Sequence, residues 1–131
     1  MPQVNILAVL VAALSSFLLG GLWYSRALFG DVWNRTAGAN PKGEQGHPAR
    51  VFGVSFLFAL VAALVYAWLM PPAVDVPHAA VQGLLVGAGM VAASFGINYQ
   101  FANRGSTLWL IDGGYYTVQF LIYGLILGLW R

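Results

Sequence analysis

The chain has 131 residues, 60% of them hydrophobic and 8% charged, with a formal net charge of +2. Soluble domains carry about 25% charged residues, so this composition, with its mean hydropathy of +0.74, belongs to a membrane protein. Six Lys and Arg residues are too few for a nucleic-acid footprint, and the absence of cysteine excludes disulfides and thiolate metal sites.

A bilayer core about 30 Å thick takes about 20 apolar residues per helix. Segments near 4–25, 49–70, 78–101 and 107–130 meet that length. In lipid only helices and closed barrels satisfy the backbone, and these runs lack the alternation of a barrel strand. The expected fold is an all-α integral membrane protein. Its single domain, 1–131, holds four transmembrane helices in a bundle of two helical hairpins.

Met1 to Asn5 carry no basic side chain, so the first apolar run is expected as a retained helix and not as a signal peptide. Ala12, Ser16 and Gly20 form a small-residue stripe along it, a pattern that lets backbones approach closely in lipid. Beyond it, R-A-L-F-G-D-V-W-N-R (Arg26 to Arg35) sets Leu28 with Val32 and Phe29 with Trp33 at i,i+4. That spacing predicts a short helix lying in the membrane interface. The rest of the loop over 26–48 is rich in Gly and Pro and is expected to be a mobile cytoplasmic connection. Pro48 suits the first position of the next helix.

Pro71 and Pro72 stop the second helix and Pro77 precedes the third, since proline breaks a helix and keeps the residue before it extended. Gly83 and Gly87 open the third helix, and Gly124 and Gly128 close the fourth. Both pairs predict close packing, within one bundle, in a homo-oligomer, or in both. Arg26, Arg35, Lys42 and Arg50 lie in the first loop and Arg104 in the third, while the second loop has no basic residue. The excess of Lys and Arg in cytoplasmic loops then places both termini outside. Aromatic residues gather near the helix ends, among them Trp23, Tyr24, Phe29 and Trp33, and are expected as interfacial anchors.

The polar residues concentrate between Asn98 and Tyr123. Asp112 is the one acid inside an apolar run. Tyr115, Tyr116, Gln119 and Tyr123 follow it on the same helical face. An aspartate at a helix centre costs about 2.5–3.5 kcal/mol on insertion scales. Asp112 lies about 8 Å inside its helix at ~1.5 Å per residue, where the cost is smaller and lipid exposure still disfavoured. Asn98, one turn after Ser94 on the third helix, is expected at a similar depth, with Arg104 or Arg26 as possible cations. The structural reading is a network that holds the bundle together. The functional one is a cytoplasmic-facing polar vestibule, with Asp112 binding an ion or proton.

His47 and His78 fall on opposite sides of the membrane, so no two-histidine metal site is expected. Ser15 and Ser16 lack a base in their helix and carry no nucleophile signature. No phosphate loop, zinc spacing or haem motif is present, so neither a cofactor nor an enzyme is expected.

V-A-A-L-S-S-F-L-L-G-G-L-W-Y-S, followed by L-F-G-x-x-W and later by N-R-G-x-x-L-W-L-I-D-G-G-Y, resembles the bacterial membrane family catalogued as domain of unknown function 1761. The resemblance spans almost the whole chain, with Trp23, Tyr24, Ser25, Phe29, Gly30 and Trp33 as its most specific part. It implies a small multi-pass inner-membrane protein and supplies no activity. The expected partners are the lipid bilayer and either further copies of the chain or other membrane subunits. The function expected is that of a non-catalytic structural or accessory subunit, and its alternative is an oligomeric channel- or transporter-like protein using Asp112, Asn98 and Tyr116.

Overall fold

A computed structural model describes residues 4–37, 48–71 and 74–130. The expected mobile loop, with Lys42 and His47, lies outside them, as do Pro72 and Arg131. The described residues are helical, without strands: α1 (Ile6–Trp23), α2 (Gly30–Ala37), α3 (Pro48–Leu69), α4 (Val76–Val86), α5 (Ala93–Phe101) and α6 (Ser106–Leu129). A π-helical turn, Gly87–Ala92, joins α4 to α5, so that Val76–Phe101 forms one continuous span. Four helices are long and apolar enough to cross a membrane: Ile6–Trp23, Ala49–Leu69, Val76–Phe101 and Ser106–Leu129.

Helix α6 is the hub. It packs against α1 on one side and against α4, the π turn and α5 on the other, while α3 leans mainly on α1. The small residues explain how closely it is approached. A Cβ on Gly83 would sit 2.3 Å from the carbonyl oxygen of Phe120, and one on Gly87 would sit 2.7 Å from Thr117 Cα. From the α6 side, a Cβ on Gly124 would lie 2.4 Å from Ala79 O, and one on Gly128 would lie 2.8 Å from Ala79 Cβ. With no hydrophobic force between helices in lipid, such backbone proximity and its dispersion contacts hold spans together. Both glycine pairs are therefore occupied within the chain. Ser16 is buried on α1, and Gly20 faces the Tyr115 ring, where a Cβ would lie 3.6 Å from the hydroxyl. Beside this seam, Tyr66, Phe120 and Tyr123 cluster edge-on, with ring centroids 5.2 to 6.5 Å apart.

The helix ends show why the chain turns where it does. Asn103 adopts the left-handed conformation at φ 55°, which asparagine tolerates better than most residues. Arg104 N–H then donates to Tyr99 O at 2.9 Å, closing α5 with a Schellman-type cap. Gly105 starts α6 with extended backbone and no side-chain cap. After α1, Phe29 N–H returns to Trp23 O at 3.0 Å and Gly30 N–H to Ser25 O at 2.8 Å. A Cβ at Gly30 would lie 2.3 Å from Tyr24 O, so only glycine permits this turn. It folds α2 back onto α6.

Asp75 caps α4. Its carboxylate accepts from His78 N–H at 2.9 Å and pairs with His78 Nδ1 at 2.5 Å. The backbone bond first, and then the side-chain bond, hold its pKa below the usual aspartate range. A lowered folded pKa means that the cap is fully present above the unfolded value of about 3.9 and is lost as pH falls through the folded one. Protection of the His78 amide from hydrogen exchange is expected to decline on acidification below about pH 4. In Asp75→Asn, whose amide oxygen caps without titrating, protection should stay flat. A wild-type profile as flat as the variant's would sink this assignment.

Candidate functional site

The polar residues of α6 meet donors from three other helices at Asp112, which is buried with 9% of its surface exposed. Tyr24, the residue that ends α1, donates its hydroxyl to Asp112 Oδ1 at 2.6 Å. Trp33 of α2 donates its indole Nε1–H to the same oxygen at 3.0 Å. Tyr99 of α5 donates its hydroxyl to Oδ2. Two oxygens offer about four acceptor sites, and three are filled by aromatic donors. Among the described residues no cation pairs with this carboxylate. Neutral O–H and N–H dipoles converge on its two oxygens instead, and low dielectric strengthens such bonds.

Neighbouring bonds fix the donors in place. Trp23 donates Nε1–H to Ile111 O at 2.9 Å, and Tyr24 and Trp33 meet edge to face with centroids 5.7 Å apart. Trp109 donates Nε1–H to Ala92 O at 2.7 Å, at the end of the π turn, where side chains can satisfy backbone groups freed by the irregular register. Further along α6, Tyr115 donates to Ser16 O at 2.8 Å, and Gln119 Nε2–H donates to Tyr123 Oη at 2.7 Å. Tyr116 stacks on Phe95 with centroids 5.0 Å apart.

The structure does not bring all the expected partners to the acid. Asn98 is exposed on α5, and Arg26 is exposed beyond α1. Arg104 lies over the Tyr99 ring, 5.8 Å from its centroid, and makes no ion pair with Asp112. Anchoring alone does not account for Trp23, Tyr24 and Trp33, because each donates to α6. Phe29 packs on Trp23 with centroids 4.9 Å apart.

Tyr99 takes the place that a uniform helix would give Asn98, and the π turn is the reason. Ala79, Gly83 and Gly87 are buried at four-residue steps. Continued at 3.6 residues per turn, that face would reach Ser94 and Asn98. The π turn widens one turn by a residue, so the buried positions become Ala92 and Tyr99, while Ser94 and Asn98 are exposed.

A family model described as a protein of unknown function (DUF1761) matches residues 7–128, a stretch that contains Asp112 and all three of its donors. The chain belongs to the DUF1761 family. No curated protein and no solved structure matches it. Within this DUF1761 chain, the segments W-Y-S and L-F-G-x-x-W and the later L-W-L-I-D-G-G-Y meet in space. The first two supply Trp23, Tyr24 and Trp33, and the last supplies Asp112 and its neighbours.

Proposed function

We propose that this DUF1761 protein is a non-catalytic structural or accessory subunit of the inner membrane. Its four spans form a bundle of two hairpins, fastened at the cytoplasmic end by Asp112. Both termini face outward, a placement that rests on Arg26, Arg35, Arg50 and Arg104 lying in or beside the connections at the opposite end from the termini. The observation that carries this reading is the closure of Asp112. Three donors from α1, α2 and α5 occupy a buried carboxylate, an arrangement that suits fastening better than reversible ion exchange. With both glycine pairs engaged inside the chain, association with copies or other membrane subunits uses the outward apolar faces, chiefly of α3, where Phe52, Leu57, Phe58 and Leu69 are exposed.

The test combines mass and flux. Full-length protein purified in mild detergent is expected to retain membrane partners or further copies at fixed stoichiometry. In liposomes, neither the wild type nor Asp112→Asn should pass protons or monovalent cations. Wild-type flux that disappears in Asp112→Asn would overturn the proposal in favour of an oligomeric channel or transporter.

A further inference from the structure

At the α5–α6 turn, beside the Asp112 network, the surface opens into a pocket of about 250 Å³. Arg104, Gln100 and Ser106 bring polar groups to its wall, and Tyr99 and Trp109 bring rings. Gly96 keeps it open, since a Cβ there would already lie 3.2 Å from Trp109 Nε1. We propose that this pocket binds the phosphate of an anionic phospholipid headgroup.

The walled pocket and the free guanidinium single out this corner. Arg104 is exposed, and among the described residues no carboxylate pairs with it. Its contact is the face of Tyr99, which leaves the N–H fork available. That fork matches phosphate oxygens two at a time. Ser106 offers a hydroxyl from the first turn of α6, whose amides have no side-chain cap and add donors to the same opening. The pocket lies where two of the candidate spans end, which in a membrane is the depth of lipid headgroups. Ile97, Phe101 and Leu110, exposed on the flanking helices, give acyl chains an apolar path that a soluble anion cannot use. An arginine that served orientation alone would need neither a pocket nor ring walls. This inference rests on the membrane placement of the spans and is independent of the role given to Asp112.

Delipidated full-length protein in detergent is titrated with phosphatidylglycerol, phosphatidylcholine or inorganic phosphate and read by native mass spectrometry. Phosphatidylglycerol should bind in preference to phosphatidylcholine, whose headgroup cation offsets the phosphate charge. Arg104→Gln should weaken it at least tenfold, and Ser106→Ala a few-fold. Arg104→Lys should fall between Arg104→Gln and the wild type, keeping charge and losing the fork. Arg26→Gln, which alters an arginine at the same end of the spans, should leave binding unchanged. Unfolding curves for the Arg104 variants should lie close to the wild type, because the side chain is exposed and rests on the Tyr99 ring.

Equal binding by Arg104→Gln and wild type overturns the proposal. So does an equal loss in Arg26→Gln, which reveals general surface charge. Arg104-dependent binding of inorganic phosphate as tight as that of phosphatidylglycerol overturns the lipid assignment in favour of a soluble anion. None of these outcomes bears on the mass and flux tests of Asp112.

Discussion

Asp112→Ala is expected to destabilise the folded protein by about 3 kcal/mol in reversible unfolding from mild detergent into denaturing detergent. The substitution leaves two hydroxyls and one indole N–H facing a small apolar gap. Each orphaned donor costs about 1–3 kcal/mol in a protein interior, although interhelical hydrogen bonds measured in a membrane protein average only ~0.6 kcal/mol. Three donors released together span about 2 to 9 kcal/mol on those figures, and the expected loss lies toward the lower, membrane-derived end. The insertion penalty of aspartate does not reverse the sign, because an unfolded chain that stays in the detergent phase carries it too. Asp112→Asn keeps an acceptor and the shape while losing the charge, so its loss should be roughly half as large. The indole N–H proton resonance of Trp33 supplies a local readout, because loss of the carboxylate frees a donor now 3.0 Å from its acceptor. An Asp112→Ala variant within about 0.5 kcal/mol of the wild type would refute the fastening role.

Gly83→Ala should be as damaging, for a steric reason. The added methyl would meet Phe120 O at 2.3 Å and Leu121 Cα at 2.9 Å. Both are backbone atoms of the central helix, so no side chain can swing aside, and α4 must move away from α6. Overpacking of this kind costs about 1–3 kcal/mol and occasionally more. The close contacts of Gly87 and Gly124 would loosen with it. Gly21→Ala and Gly53→Ala are the controls, because a Cβ at either position meets nothing within 4 Å. They should be neutral or mildly stabilising, as alanine favours helix over glycine by up to ~1 kcal/mol. If all three variants unfold alike, the close approach of α4 and α6 is wrong.

The four apolar runs were legible because each is long and apolar enough to cross a bilayer without interruption, and length alone marks them. Asp112 was legible as the centre of the polar region because an acid inside such a run is costly and conspicuous. Its donors were hidden for two separate reasons. Tyr24 and Trp33 are aromatic residues near a helix end, where the usual meaning is anchoring, and nothing in their spacing distinguishes a donor aimed at a distant helix. Gly30 was the available signal, since it sits between them where the chain must turn back. Tyr99 was hidden by the π turn. Residues 87–92 read G-A-G-M-V-A, an apolar run with no feature that marks an added residue, so counting at the α-helical period lands on Asn98. Their spacing marks the glycine pairs as packing surfaces, and in the structure they lie against the facing helix. Whether they served the inside or the outside of the chain depended on which helices became neighbours, and periodicity does not contain that information.

The central position of α6 also bears on the order in which the protein is made. Tyr24, Trp33 and Tyr99 all precede Asp112, so the acid leaves the ribosome after every group that solvates it. Before α6 emerges, α1 has α3 as its neighbour, while α4 and α5 have only each other and the π turn between them. Among the described residues the two halves share no extensive contact of their own. Assembly can therefore finish with the last span entering between the α1–α3 pair and the single Val76–Phe101 span, bringing Asp112 to donors already synthesised.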